Sequence, residues 1–314
     1  MGIQPENPIR EVRLNSYRIG PFFYVTELLL PELAMVTLER DVVPVRIRVG
    51  KTPAALSAPL SATPDYEASD SEFLLRLPGV ATYYARQGVE IIVDPEAGAP
   101  EVDLRSYLMG SLFAVICHQR GLLPLHASAI ETPQGAVAFL GASGAGKSST
   151  VAFLARRGHR IVADDICVVD PAAPRTQRVL PVAPWLKLWD TTLKAMGESS
   201  HGLARIFAED EKYRYALEQP ESTTALAELI LLERDDTLAE PVFERLSAVQ
   251  AMQAVLDFTF QSWLVRATGR TEHYFLLCGR ALEGVRVTRM RRPWGFDAME
   301  TNLAALEEHL ATQY

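Results

Sequence analysis

One short glycine-rich segment, GASGAGKS at residues 141–148, constrains the fold of this chain more than any other part of its sequence. It matches G-x-x-x-x-G-K-[ST] at every fixed position, a pattern that needs a strand before it and a helix after it. The flanking runs AVAFLG and SSTVAFLARRG supply both, and Gly158 is a suitable end for a helix over 147–157. The segment therefore predicts a strand–loop–helix unit of an α/β domain.

The residue types in this segment suit the binding of phosphate groups. Glycines let the backbone turn without Cβ clashes and point N–H groups inward, and the following helix adds the positive end of its dipole. Lys147 would contact the β- and γ-phosphates of a nucleoside triphosphate, and Ser148 would offer its hydroxyl to Mg²⁺. The predicted nucleotide-binding residues are Gly141, Ala142, Ser143, Gly144, Ala145, Gly146, Lys147, Ser148 and Ser149.

Two adjacent aspartates, Asp164 and Asp165, close the apolar run HRIVADD that follows the predicted helix. A right-handed βαβ unit returns its second strand parallel to the first, so both strands end at the same edge of the sheet. The two carboxylates are therefore predicted to lie beside the phosphates. One could hold Mg²⁺ and the other could accept a proton from an attacking hydroxyl.

The pattern of the chain changes at about residue 100. Short runs rich in Val, Ile, Phe and Tyr make residues 10–100 β-rich, and 52–70 is predicted to be a loop or a hairpin connection. After residue 122, the alternation of strand, turn and helix predicts a parallel, buried sheet with helices on its faces. We therefore predict a β-rich N-terminal region over 1–100 and a catalytic domain over 101–314. Further helices are predicted over 103–120, 254–263 and 297–312, and further strands over 226–233 and 285–289.

Composition excludes several classes of function. The net charge of −8 over 314 residues argues against nucleic-acid binding, which rewards a basic surface. Three widely spaced cysteines favour a reducing compartment. The start, MGIQPENPIREV, lacks the apolar core of a signal peptide, and no apolar run is long enough to span a membrane. We therefore expect a cytoplasmic protein with no nucleic-acid or membrane partner.

The two motifs together resemble the catalytic domain of HPr kinase/phosphorylase. The resemblance is carried by RGHRIVADD after GASGAGKSST, and by LHASAI, which lies where that family has a histidine before its P-loop strand. It covers residues 122–170 clearly and the C-terminal part weakly. It implies an α/β catalytic core with the phosphoenolpyruvate carboxykinase-like P-loop fold.

The resemblance also implies roles for individual residues. ATP phosphates would bind at 141–150, with Mg²⁺ held by Ser148 and Asp165. Asp164 would be the general base, although the two aspartates could exchange roles. His126 would lie near the γ-phosphate as a third catalytic residue beside Asp164 and Lys147; the alternative is a satisfied core histidine.

The sequence departs from that family after the acidic pair. The glycine-rich signature associated there with the phosphorylase reaction and with HPr is not found, and PVAPWLKLWDTTLKAMGE stands in its place. The overall plan looks more like HPr-kinase-related proteins of ribosomal peptide pathways, among them lasso-peptide kinases, which phosphorylate the C-terminal serine of a precursor peptide. This implies a peptide or small-protein substrate with an acceptor serine. A homo-oligomer stays open, because HPr kinases form rings.

Further candidate contacts lie in the region that departs from the family. Lys187, Lys194, Lys212 and Arg214 could meet the γ-phosphate or a substrate carboxylate, or they could be solvated surface charges. The basic run RMRRPW could bind an acidic peptide or the nucleotide, with an exposed strand end as the alternative. Trp185 and Trp189 are four residues apart and could pack on one helical face.

The residues favour transfer of the γ-phosphoryl group of Mg·ATP to a hydroxyl, and the resemblance implies that this hydroxyl belongs to a serine of a peptide or small protein. Four alternatives stay open. They are an HPr serine kinase, a kinase for a small molecule such as free serine, a non-catalytic nucleotide-dependent binding module, and a nucleotide hydrolase.

Overall fold

The computed structural model describes residues 14–172, 178–182, 185–217 and 223–312. The segment MGIQPENPIREV, for which we predicted that it is not a signal peptide, lies outside these residues. Residue 13, in the predicted N-terminal region, lies outside them as well. Within the described part of the chain, no helix combines the length and the apolar character that crossing a membrane requires. Cys117, Cys167 and Cys278 are buried free thiols.

The N-terminal part of the chain forms one eight-stranded sheet, in the order β1-β2-β3-β8-β7-β6-β5-β4. Its strands are β1 (Asn15–Ile19), β2 (Phe22–Thr26), β3 (Val45–Val49), β4 (Ser61–Ala62), β5 (Tyr66–Ala68), β6 (Glu72–Leu77), β7 (Ala81–Arg86) and β8 (Glu90–Pro95). The segment 52–70 was predicted to be a loop or a hairpin connection, and it contains the short β4–β5 hairpin. Strand β3 alternates buried Val45 and Ile47 with exposed arginines, because one face of this sheet packs on the core.

A helical segment joins this sheet to the rest of the molecule. It consists of α1 (Glu101–Tyr107), a π-helical turn (Leu108–Leu112) and α2 (Phe113–Gln119), close to the predicted range 103–120. Leu112 and Phe113 are fully buried in a core that includes Tyr24 of the N-terminal sheet and Val168 of the second sheet. The two sheets therefore share one hydrophobic core through this helical segment.

The remaining strands form a second sheet and a separate two-stranded ribbon. In chain order they are β9 (Leu123–Leu125), β10 (Ala127–Thr132), β11 (Gly135–Leu140), β12 (Arg160–Ala163), β13 (Cys167–Asp170), β14 (Arg178–Leu180), β15 (Trp185–Trp189), β16 (Lys212–Ala216), β17 (Thr224–Arg234), β18 (Val242–Arg245) and β19 (Arg286–Arg292). The sheet has the order β12-β10-β11-β17-β14-β13-β9, with β19 beside β17 and β18 beside β19. The ribbon is the antiparallel pair β15–β16.

The prediction of a parallel sheet is wrong, because the second sheet is mixed. Strands β11, β17 and β19 run parallel, but β10 lies between β11 and β12 and is antiparallel to both. Since β11 and β12 are both antiparallel to β10, they run in the same direction. Their C-terminal ends therefore still meet at one edge of the sheet, where the glycine-rich segment and the two aspartates begin.

Helices cover both faces of this sheet. They are α3 (Lys147–Arg156), α4 (Asp190–Ala195), α5 (Ala248–Asp257), α6 (Trp263–Ala267), α7 (Thr271–Leu282) and α8 (Met299–Thr312). On β11, Phe139 faces the core with α3 and α8, while Leu140 faces the core with α5 and α7. Burial on both faces explains why β11 is apolar throughout.

The single helix predicted over 254–263 is wrong. Helix α5 ends at Asp257, and α6 begins only at Trp263. Between them the backbone pairs with the chain around β9, where Phe258 O accepts from His126 N and Phe260 N donates to Pro124 O. These tertiary hydrogen bonds replace the ones a continuous helix would make.

Trp185 and Trp189 lie on a strand, β15, so the helical face predicted for them is wrong. The ribbon places Lys187 opposite Arg214 and Trp189 opposite Lys212. Because side chains two residues apart on a strand share a face, both tryptophans and Lys187 point to the same side. Trp185 is buried and Trp189 is half exposed at 46%.

A buried acidic residue ties the N-terminal region to the ribbon. Glu32 accepts hydrogen bonds from Arg105 of α1 and Arg214 of β16, each at 2.8 Å, and its side chain is only 5% exposed. Burial raises the pKa of Glu32, but Arg105 and Arg214 outweigh that effect, so its pKa is lowered. A lowered pKa means that the ionised form stabilises the fold above the unfolded-state pKa, and that this contribution is lost as pH falls.

We expect Glu32→Gln to lower the free energy of unfolding by about 3 kcal/mol at pH 7, because two partly buried guanidiniums, whose side chains are 16% and 10% exposed, lose their charged partner. The difference from wild type should shrink as pH falls below about 4. Urea unfolding at a series of pH values measures this. Glu101→Gln is the matched control, because Glu101 pairs with the same Arg105 but is 85% exposed, and it should cost less than about 0.5 kcal/mol. Equal losses in the two variants would contradict the account.

Candidate active site

The glycine-rich loop (residues 141–148) joins the end of β11 to the start of α3, as its flanking sequences predict. Gly146 has a φ of +84°, and a Cβ there would lie 2.9 Å from Arg292 Nη2 and 3.6 Å from the Trp294 ring. At Gly141 a Cβ would lie 2.9 Å from Ala145 Cβ and 3.1 Å from Leu232 O. Close packing against neighbouring elements, as well as backbone conformation, therefore requires glycine at both positions.

Arg292 of β19 packs against the glycine-rich loop and donates a hydrogen bond to it. It is 3% exposed, and its Nη2 donates to Ala145 O at 3.0 Å. Burial lowers its pKa to about 10. The alternative of an exposed strand end for RMRRPW is therefore wrong at this residue, although Arg289 and Arg291 do form ion pairs nearer the surface.

The side chain of Lys147 folds back onto backbone carbonyls of the glycine-rich loop. It is 6% exposed, and its Nζ donates to Gly141 O at 2.7 Å and to Ala142 O at 3.2 Å. Burial lowers the pKa of Lys147 to about 8. Among the described residues, no carboxylate lies within 4 Å of this ammonium group. An anionic ligand in the cleft would therefore compensate a charge that the protein itself leaves without a close partner.

Asp164 points into the fold. Its Oδ1 accepts from Ser128 Oγ at 2.6 Å, and its Oδ2 accepts from the Lys187 backbone N at 2.7 Å. Burial raises the pKa of Asp164, and hydrogen bonds from Lys187, Ser128 and Ser148 oppose that rise. Through these hydrogen bonds, the Asp164 carboxylate connects β10, the ribbon and the first turn of α3. It does not line the cleft that is described below.

Asp165 points the other way, into the cleft. Its backbone has a φ of +66°, which is uncommon for a residue with a side chain. Its Oδ2 accepts from Lys187 Nζ at 2.6 Å, and its Oδ1 lies 3.5 Å from His126 Nδ1. Burial raises the pKa of Asp165, but the charge and hydrogen bond of Lys187 more than offset this, so the pKa is lowered. Asp165 is therefore an ionised carboxylate at neutral pH.

His126 lies beside Asp165 at the wall of the cleft. Its Nδ1 is 3.2 Å from Asp165 O, and because a carbonyl only accepts, Nδ1 carries the proton. Burial, followed by the nearby Lys147 charge, lowers the pKa of His126. The ring is therefore neutral at pH 7, with an unprotonated Nε2. The hydrogen bond to the carbonyl fixes the backbone of Asp165 in its strained conformation.

One cleft of about 490 Å³ brings most of the predicted residues together. The predicted residues that line it are His126, Ser143, Gly144, Gly146, Lys147, Ser148, Ser149, Asp165, Lys187 and Lys212. Lys212 Nζ lies 4.8 Å from the centre of the Trp189 ring, at the same cleft. Three ammonium groups thus face one cleft of a chain whose net charge is −8. This local charge suits a polyanionic ligand.

The other predicted residues lie outside this cleft. Arg214 is held by Glu32 and Ser106 and lines a small separate cavity behind the two aspartates. Ala142 and Ala145 line a cavity on the far side of the loop. Ser128 could not be predicted from the sequence, because its contact with Asp164 depends on strand pairing and has no local pattern. Phe296, which lies next to the RMRRPW run and lines the cleft, was not predicted either.

Comparisons with known proteins leave the function to be inferred from the site. No protein-family model and no curated protein sequence matches the chain. Among solved structures, the HPr(Ser) kinase/phosphatase from Coxiella burnetii aligns at 12% sequence identity over 61% of this chain and 99% of that one. The TM-score of that alignment is 0.31, too low to establish a shared fold.

We expect Gly146→Ala to destabilise the protein more than Gly158→Ala does. Both glycines have a positive φ, +84° and +95°, so both variants incur a backbone cost of about 1–2 kcal/mol. Only at Gly146 would the methyl group also displace Arg292, which should add about 1–3 kcal/mol. Urea unfolding of the two variants measures the difference. Equal losses would show that Arg292 does not pack closely on the loop.

Proposed function

We propose that this chain is a kinase that transfers the γ-phosphoryl group of Mg·ATP to a serine hydroxyl of a peptide or small protein. One observation carries the proposal. The buried Lys147 of a glycine-rich loop and the ionised Asp165 face the same cleft, which two further lysines make electropositive. A phosphate-binding loop opposite a carboxylate is the arrangement that phosphoryl transfer to a hydroxyl needs.

The residues present fit a nucleotide with magnesium. Within the described residues, no cluster of three or more His, Cys, Asp or Glu side chains could hold a metal by itself. Mg²⁺ usually keeps several of its waters and is bound in large part through substrate phosphates, so the Ser148 hydroxyl, which lines the cleft, would be its protein ligand. Bound Mg²⁺ would neutralise part of the negative charge of the nucleotide phosphates. Lys147, Lys187 and Lys212 would stabilise the remaining charge on the transferred group.

We assign the base to Asp165 in place of Asp164, the residue to which the family resemblance gave that role. Asp164 is buried, and its two oxygens already accept from Ser128 and from the Lys187 amide, so an acceptor hydroxyl does not reach it. It positions Ser148 instead. Asp165 faces the cleft and is ionised, so it can take the proton of the acceptor hydroxyl while that oxygen attacks the γ-phosphorus. ADP then leaves, and His126 keeps Asp165 in place.

A serine at the C-terminus of a peptide is the acceptor we favour. Such a residue carries a carboxylate close to its hydroxyl, and Lys212 stands at the cleft with its ammonium over the half-exposed Trp189. Lys212 could pair with that carboxylate while Asp165 engages the hydroxyl. The same chemistry would accept free serine, since 490 Å³ is within the size of small-molecule sites.

We expect Asp165→Asn to bind Mg·ATP with nearly unchanged affinity but to transfer phosphate about 10²–10⁴-fold more slowly, because the proton acceptor is lost. Lys147→Ala should lose nucleotide binding itself. Titration calorimetry and ATP turnover with a serine-ending peptide separate the two effects. Lys194→Ala is the matched lysine control, because Lys194 is 73% exposed and pairs only with Asp190 among the described residues. Full activity of Asp165→Asn would refute the assignment of the base.

A further inference from the structure

The ribbon β15–β16 has one covered edge and one unpaired edge. Ile206 N donates to Lys212 O at 2.9 Å and Arg214 N donates to Ala204 O at 2.8 Å, so the chain at 204–206 covers the outer edge of β16. Strand β15 pairs with β16 alone among the described strands. Its other side, which we call the free edge, is the kind of surface to which another extended chain can add.

The register of the ribbon shows which backbone groups point to the free edge. In an antiparallel pair, opposite residues either exchange two hydrogen bonds or exchange none. Lys212 and Arg214 use their backbone groups on the side away from β15, so they exchange none with their partners Trp189 and Lys187. The backbone groups of Lys187 and Trp189 therefore point to the free edge. The hydrogen bond from Lys187 N to Asp164 Oδ2 agrees with this direction.

The free edge runs along the wall of the cleft. Lys187, Leu188 and Trp189 follow one another in β15, and all three line the cleft. Leu188 is 1% exposed and its side chain packs in the core with α3 and α8, so β15 meets the cleft at this residue with its backbone. A ligand in the cleft can therefore reach the backbone of this strand.

Two of the four backbone groups at this edge are already used. Lys187 N donates to the Asp164 carboxylate. Trp189 is the N-cap of α4, so its carbonyl accepts the first hydrogen bond of that helix. The other two groups, Lys187 O and Trp189 N, have no hydrogen-bond partner among the described residues. Because backbone polar groups are nearly always paired in a native protein, this edge has one acceptor and one donor to offer a ligand.

These two groups fit a parallel neighbour and not an antiparallel one. An antiparallel neighbour exchanges two hydrogen bonds with the N–H and the carbonyl of one residue, and neither Lys187 nor Trp189 has both groups free. A parallel neighbour bonds instead to the carbonyl of one residue and to the N–H of the residue two positions later. Lys187 O and Trp189 N have this spacing. An incoming chain would therefore run in the same direction as β15, with its C-terminal end toward Trp189.

We propose that the acceptor peptide binds as a third strand of the ribbon, parallel to β15. This inference rests on the proposed kinase function and specifies how its acceptor is held. The peptide residue opposite Leu188 donates its N–H to Lys187 O, and its carbonyl oxygen accepts from Trp189 N. The parallel direction brings the C-terminus toward Lys212, which lies opposite Trp189 with its ammonium group 4.8 Å from the centre of that ring. The direction set by the backbone groups therefore agrees with an acceptor serine at the C-terminus.

N-methylation of a peptide ending in serine tests the pairing from the side of the ligand. Each of the last three amides is methylated in turn, and KM and kcat are measured with Mg·ATP. Successive N–H groups of a strand point to opposite sides, so a methyl group should interfere at one position and be tolerated at the positions next to it. We expect KM for the peptide to rise about tenfold at the sensitive position, as the loss of one hydrogen bond implies, and less than about threefold at its neighbours.

Two variants of one residue test the pairing from the side of the protein. Trp189 has a φ of −69°, which proline adopts without strain. Trp189→Pro and Trp189→Ala both remove the indole ring, but only Trp189→Pro also removes the backbone N–H. We expect KM for the unmethylated peptide to be about tenfold higher in Trp189→Pro than in Trp189→Ala, with equal affinity of the two variants for Mg·ATP in titration calorimetry.

The outcomes separate this inference from the kinase proposal. Equal KM values in the two variants, or the same KM for all three methylated peptides, would overturn the third strand and leave the kinase proposal standing. Phosphorylation of HPr or free serine without phosphorylation of the peptide would do the same. If the wild type binds no Mg·ATP, or binds it and phosphorylates none of these acceptors, the kinase proposal fails and the third strand fails with it.

Discussion

The turn at Asp164 and Asp165 is the constraint on which the rest of the site depends. Adjacent carboxylates on a regular strand would point to opposite faces of the sheet, but here the strand has ended and Asp165 has a positive φ. That conformation lets one carboxylate enter the fold and the other enter the cleft. Lys187 then binds both, through its backbone N–H to Asp164 and its ammonium group to Asp165. The ribbon β15–β16 is thereby held against the end of β12.

The electrostatics of the cleft follow from this arrangement. Lys147 and Arg292 are buried around the glycine-rich loop, where burial lowers the pKa of both. Neither has a carboxylate within 4 Å among the described residues, and Asp165, the aspartate that acts most strongly on Lys147, is paired with Lys187. Burying cations without close partners costs stability, and a bound polyphosphate would offset that cost. The strained backbone of Asp165 is a further local cost of the kind that collects at functional sites.

Local patterns made part of this structure predictable. The strand–loop–helix unit and helix α8 lie close to their predicted ranges, because each follows from a run of neighbouring residues. The two acids lie at the same sheet edge as the loop, as the right-handed connection requires. The sequence does not show that β10 separates β11 from β12, or that Arg214 is held by Glu32, 182 residues away. It also cannot show which aspartate faces the cleft, because that depends on the φ of one residue.

Intact-mass spectrometry after incubation with Mg·ATP tests the central claim most directly. The acceptors to compare are a precursor-type peptide ending in serine, the same peptide ending in alanine, HPr, and free serine. The account predicts the gain of one phosphoryl group on the serine-ending peptide and none on its alanine-ending counterpart. A gain on HPr or on free serine alone would keep the kinase chemistry but contradict the favoured acceptor. Bound ATP with no transfer to any of the four would contradict the account and favour a nucleotide-dependent binding module.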